Sequence, residues 1–209
     1  MKLALTLASA MVAVCSQALV LDDFTTGPYS VSIQSGFDQA LQNGSMIGGQ
    51  RSTYVEVQSN PLNQYLDFMI TNGFQLTSSG TLLDAYTKIG YGASADLNAN
   101  LSGYNALKVR VISNDLPMNM TVSLSSSTGN QSEAVAVVVP NGTFFDVLVP
   151  FSLFTSFNQF QDVDKISFGL DSVTNGDFAL AGFEAVPEPA TLLAFGTGAA
   201  ILLARRRHR

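Results

Sequence analysis

The feature that most constrains this chain is a two-residue alternation of apolar and polar side chains, repeated in short segments across residues 19–185. Clusters of Gly, Asn, Asp, Ser and Pro interrupt it. A period of two belongs to half-buried β-strands, whereas a surface helix needs a 3.6-residue stripe. In Leu107-Lys108-Val109-Arg110-Val111 two cations alternate with three apolar residues, so one face is buried and the other is wet. The pattern returns at 119–125 and 165–170, and Phe178, Leu180 and Phe183 belong to a final strand. Residues 134–139 are apolar on both faces, which places them in the middle of a sheet. Asn43-Gly44, Asn72-Gly73, Gly129-Asn130, Pro140-Asn141-Gly142 and Asn175-Gly176-Asp177 supply turns. No stretch of the body sustains a capped helical stripe for about twelve residues. The expected fold is all-β, a jelly-roll-like β-sandwich of about ten strands in two packed sheets.

The length, 209 residues, fits one domain plus appendages. Charged residues make up 12% of the chain, well under the usual quarter or so. Apolar ends and a body surfaced with Ser, Thr, Asn and Gln account for the deficit, and such a surface suits secretion. Residues 19–186 carry five cations (Arg51, Lys88, Lys108, Arg110, Lys165) against fifteen acids, a net −10. A body of that charge repels phosphate backbones and anionic headgroups, so no nucleic-acid partner is expected; cations or neutral glycans suit it better. The single cysteine, Cys15, and the single histidine, His208, both lie in the terminal segments. The body therefore lacks the residues for Ser-His-Asp or Cys-His catalysis and for most zinc sites, and no catalytic residue is assigned.

Residues 1–18 have the form of a secretory signal peptide read by the Sec export machinery: Lys2, an apolar stretch of twelve, then small Ser16 and Ala18 at the cleavage-recognition positions. Cleavage is expected after Ala18. A lipoprotein leader acylated at Cys15 is a rival reading, but Val14 fits poorly where a small residue belongs. At the other end Pro187-Glu188-Pro189 precedes an uncharged run to Ala204 and then Arg205-Arg206-Arg207-His208-Arg209. On physical grounds this is a stop-transfer helix, body outside, with Arg205, Arg206, Arg207 and Arg209 as the membrane stop. The apolar run 190–204 spans about 22 Å as a helix, short for a hydrocarbon core of about 30 Å, which suits a temporary anchor. A plain tail anchor that is never processed is the alternative.

Pro187, Glu188 and Pro189, the short hydrophobic helix and the arginine cluster together resemble the PEP-CTERM sorting signal of Gram-negative bacteria. That resemblance covers residues 186–209. It implies an exosortase as partner, cleavage near the Pro-Glu-Pro motif, and transfer of the body to the cell surface or an extracellular matrix. A looser resemblance, to galactose-binding-like β-sandwich domains, is carried by Leu21-Asp22-Asp23-Phe24, Gly48-Gly49-Gln50-Arg51, residues 107–115 and residues 160–166. It implies a fold for residues 19–185 and no ligand.

Candidate site residues within the body are fewer. Asp22 and Asp23, with Asp162 and Asp164, are weak calcium candidates, since first and last strands of such sandwiches often lie together; otherwise no cofactor is expected. Tyr54, Tyr65, Tyr86, Tyr91 and Tyr104 could stack on sugars, Tyr91 and Tyr104 flanking a segment rich in Asn and Ser, or could pack at sheet edges. The run Phe144, Phe145, Phe151, Phe154, Phe157 and Phe160 reads as core filling, with a compact turn after Pro150 closing one end. Arg51 is expected to be a buried partner of Glu56 or Asp23. Five Asn-X-Ser/Thr sequons, starting at Asn43, Asn100, Asn119, Asn130 and Asn141, are compositional. The expected function is a non-enzymatic, exported surface protein associating with exopolysaccharide. A carbohydrate-active enzyme would instead pair Glu56 with Glu133 or Glu184. A self-assembly module would show a long exposed strand edge or an apolar patch.

Overall fold

The computed structural model describes residues 17–172 and 174–187. The expected signal helix and C-terminal membrane helix lie outside the described residues, as do the Glu188-Pro189 part of the sorting motif and the arginine cluster. Among the described residues no helix is long and apolar enough to cross a membrane.

Thirteen strands form among the described residues: β1 (Leu19–Asp22), β2 (Tyr29–Ile33), β3 (Gly36–Asn43), β4 (Gln50–Ser59), β5 (Leu66–Thr71), β6 (Phe74–Ser79), β7 (Asp84–Tyr91), β8 (Ala106–Asn114), β9 (Met118–Ser126), β10 (Gln131–Val139), β11 (Gly142–Pro150), β12 (Lys165–Ser172) and β13 (Phe178–Val186). One sheet has the order β11-β8-β13-β6-β5-β2, with β1 added beside β13, and the other the order β10-β9-β12-β7-β4-β3. All the pairings are antiparallel. The expected jelly-roll-like sandwich is therefore present. The excess over ten strands comes from short pieces such as four-residue β1 and five-residue β2, too brief for alternation to separate from turns.

Turn chemistry places the strands. Asn72 and Gly73, at φ 47° and 87°, make the left-handed pair that a two-residue hairpin between β5 and β6 requires. Gly182 serves a different need. It has φ 151°, and a Cβ there would stand 2.6 Å from the Asp22 carbonyl oxygen. At this residue β13 changes neighbours: Phe178 to Leu180 pair with β6, Phe183 to Ala185 pair with β1, and β8 lies along the other side throughout.

The inner faces of the two sheets meet in one core. Phe168 of β12 and Phe183 of β13 stack across it with centroids 3.9 Å apart and planes at 1°, and Phe24 meets Phe183 edge-on at 5.5 Å. Phe151, Phe154 and Phe157 are buried and pack with Phe160, closing one end as the phenylalanine run implied. Phe144 departs from that reading, being 83% exposed.

A second departure concerns residues 134–139. They form most of β10, and β10 is an edge of the six-stranded sheet, not its middle. Val135 and Val137 pack half-buried against the core, while Ala134, Ala136 and Val138 of the opposite face stand in solvent. An apolar run signals two covered faces only when something covers both. Here nothing among the described residues covers the outer face.

Candidate functional site

Alternation along β3, β4, β7, β12, β9 and β10 sends one set of side chains into the core and the other to the outer face of the six-stranded sheet. The register lines up that outer set in rows across the strands. One row runs Phe37, Glu56, Tyr86, Asp171, Asn119, Val138; the next Gln39, Tyr54, Lys88, Gly169, Thr121, Ala136; the third Leu41, Ser52, Gly90, Ser167, Ser123, Ala134. Large side chains gather on β3, β4 and β7, smaller ones on β12 and β9. Over β3, β4 and β7 lies a groove of about 840 Å³, open to solvent and lined by residues that include Gln39, Leu41, Ser52, Tyr54, Glu56, Tyr86 and Lys88.

Its aromatic wall is continuous. Phe37, 60% exposed, stacks on Tyr54 with centroids 5.5 Å apart and planes at 22°, and Tyr54 meets Tyr86 at 6.3 Å. Two buried glycines make room for groove side chains above them: a Cβ on Gly169 would collide with the Tyr86 hydroxyl, and one on Gly90 would lie 2.8 Å from Ser52 Oγ. Partial burial, then the charges of Asp171 and Glu56, push the Tyr86 phenol above its ordinary value. Desolvation and then Glu56 do the same for Tyr54. Both phenols therefore stay protonated and able to donate. Among the described residues no carboxylate lies within 4 Å of Lys88 or Lys165, the two cations on this face, whereas Arg51, Lys108 and Arg110 are all in ion pairs.

The other sequence candidates fall elsewhere. Tyr91 is buried and is not a surface aromatic: its hydroxyl donates to Asp22 Oδ2 at 2.8 Å, and burial followed by the Asp22 charge lifts its phenol well above 10. Arg51 pairs with that same oxygen at 2.7 Å, so its partner is Asp22 and neither Glu56 nor Asp23. Parity explains the difference, because Glu56 sits five residues along β4 from Arg51 and so points to the opposite face. Asp23 is occupied in a turn, accepting from the Thr25 hydroxyl at 2.6 Å. Asp164 accepts from Ser127 N at 2.5 Å and Ser127 Oγ at 2.6 Å, and Asp162 accepts from the Thr128 hydroxyl. The four calcium candidates are thus engaged in separate contacts, and no group of three or more potential metal ligands occurs among the described residues. Tyr65 is exposed apart from the groove, and Tyr104 lines a second depression of about 530 Å³ with Phe151 and Phe160.

Nor do Glu56, Glu133 and Glu184 pair. Glu56 lies on the outer face of the six-stranded sheet. Glu133, on β10, accepts backbone N–H bonds from Thr155, Ser156 and Phe157 at 2.9, 2.8 and 2.7 Å. Glu184, on β13 of the other sheet, is held by Lys108 at 2.7 Å and Arg110 at 3.1 Å. Phe37, stacked on the groove residue Tyr54, is the exposed aromatic that sequence reasoning missed. Its signal was an aromatic side chain sharing the parity of Gln39, Leu41 and Asn43, the face of β3 turned from the core.

At the end of β13 the chain passes from Val186 into Pro187 and the tail. Residues 185–207 match the PEP-CTERM protein-sorting motif. The chain carries a PEP-CTERM sorting signal. That signal implies export and sorting at the membrane through the C-terminal segment. No curated protein sequence matches the chain. Among solved structures, the family 11 carbohydrate-binding module of a cellulosomal cellulase of Clostridium thermocellum shares 16% identity, over 82% of this chain and 95% of that one, with TM-score 0.44. The same organism's family 11 module in complex with a β-1,3-1,4-mixed-linked tetrasaccharide shares 15%, over 81% and 95%, with TM-score 0.42. An exo-β-agarase shares 10%, over 82% of this chain and 26% of that one, with TM-score 0.44.

Proposed function

We propose that the body is a non-catalytic glycan-binding module, carried out of the cell by the Sec machinery and sorted by an exosortase, that holds the protein to extracellular polysaccharide. The observation behind this reading is the open groove walled by Tyr54 and Tyr86. Sugar rings have apolar C–H faces that pack on aromatic rings and hydroxyls that need partners at their rim. The groove offers both, with Gln39, Ser52, Glu56 and Lys88 as donors and acceptors beside the two phenols. Its openness to solvent suits an extended chain lying along it rather than a small molecule that must be enclosed. The enzyme alternative needs two acids roughly 5–10 Å apart in one cleft. Glu56, Glu133 and Glu184 instead sit on separate surfaces.

Affinity electrophoresis against polysaccharides, with and without Ca²⁺, tests the reading. The wild-type chain should be retarded, and Tyr54→Ala with Tyr86→Ala should weaken binding about tenfold or more, equivalent to about 1.4 kcal/mol. Retention of the double variant equal to wild type, or no retention of either by any glycan, would sink the proposal. For sorting, intact mass in hosts with and without the exosortase is decisive. Mature chains that keep Arg205, Arg206, Arg207 and Arg209 in both would rule out processing.

A further inference from the structure

A strand at a sheet edge presents unpaired N–H and C=O groups, and soluble proteins blunt such edges with short strands, charges, proline or bulges. Most edges of this sandwich are blunted. β1 and β2 are four and five residues long. β3 carries Asp38 in mid-strand and starts at Gly36 with φ 72°. β11 carries Asp146, ends on Pro150, and is bent at Phe144, a non-glycine residue with φ 51°. β10 has none of these devices. It runs nine residues in unbroken register with β9, six of them Ala or Val, without proline or lysine. Its one charge, Glu133, is turned away into the backbone of residues 155–157.

Apolar side chains also stand in solvent on the two strands joined through Pro140-Asn141: Val138, on the outer face of β10's sheet, is 66% exposed, and Phe144 and Leu148, on β11 of the other sheet, are 83% and 55% exposed.

We infer that β10 is a self-association edge, pairing antiparallel with β10 of a second copy about a two-fold axis at Val135. Charge selects the occupant. A body of net −10 repels its own copy over most of its surface, but this strand presents a neutral edge, and a basic partner would find no counter-charge on it. The strand also matches itself. Full overlap sets Ala134 opposite Ala136 of the second copy and Glu133 opposite Val137, so the two glutamates never face each other. An isologous pair of this kind fuses the two six-stranded sheets into one and leaves both grooves on a common face. The ladder alone buries less than the roughly 1,200–2,000 Å² of a stable interface, so the association is weak and depends on crowding. Because the pairing is antiparallel, the two Val186 ends point in opposite directions. The pair therefore suits chains freed from a shared membrane.

The test uses the full chain purified in detergent, in a Cys15→Ser background with a short bis-maleimide. A mixture of Ala134→Cys and Ala136→Cys chains should give at least tenfold more cross-linked dimer than either variant alone. Thr121→Cys, on the same face inside the sheet, should give none. Adding Ala136→Lys to the partner chain, an exposed position that leaves the circular-dichroism spectrum unchanged, should abolish the mixed cross-link made through Val138→Cys and Ser132→Cys. Equal cross-linking by all the cysteine variants, no cross-linking by the Ala134/Ala136 mixture, or persistence of the dimer with Ala136→Lys would each overturn the inference.

Discussion

Arg51 is fully buried, and its guanidinium is held by Asp22, by Gln42 Oε1 at 3.2 Å, and by the carbonyls of Thr26 and Gly27, with Phe24 5.5 Å from its central carbon. An ion pair so placed has lost its water and depends on complete partnership. Arg51→Met strands the Asp22 charge in the core, and urea unfolding should show a loss of about 3–5 kcal/mol. The double change Arg51→Met with Asp22→Asn should recover part of it. Acid acts elsewhere. Desolvation pushes the Glu133 carboxyl up, but its bonds from Ser156, Phe157 and Thr155 outweigh that and hold it below its ordinary 4.5, and the Ser127 hydroxyl and then its backbone N–H hold Asp164 below 3.8. A depressed folded value means fewer bound protons in the folded state. Both groups therefore stabilise the fold at neutral pH and cease to do so as the pH falls below about 4.5 and through their folded values. Thermal unfolding followed from pH 6 to pH 2 should decline less steeply for Glu133→Gln than for wild type.

At the scale of strands, the position of the Tyr86 ring depends on β12 passing Gly169 beneath it. Gly169→Ala should move the Tyr86 ring without disturbing the ladder, giving weaker glycan retention at nearly unchanged melting temperature. A loss of both together would show that the glycine serves folding alone. Strand identity was legible because alternation is a local property. β8, β9, β12 and β13 all fall where Lys108, Thr121, Ser167 and Phe183 imply them. Lateral position was not legible, because whether Ala136 and Val138 meet a neighbour depends on strand order, which no window of sequence contains. The site was half legible for the same reason. Tyr54 and Tyr86 stood among the candidates, yet only the pairing of β4 with β7 sets them together, and only the contact between sheets sends Tyr91 to Asp22.

The whole molecule is suspended from one corner. Leu19 pairs with Ala185, so β1, which starts directly after the expected leader cleavage position, runs beside the end of β13, where the sorting tail begins. Replacing Pro187, Glu188 and Pro189 by alanine should leave the body folded and the membrane fraction enriched in chains of uncut mass, as read by immunoblot and mass spectrometry. β13 is an interior strand, bonded to β8 along one side and to β6 and β1 along the other. Tension between a membrane-held tail and a polysaccharide held on the opposite sheet would pull β13 along its own axis. Hydrogen bonds loaded in that direction share the force as a set instead of opening one after another, so the strand that carries the tether is placed to resist shear.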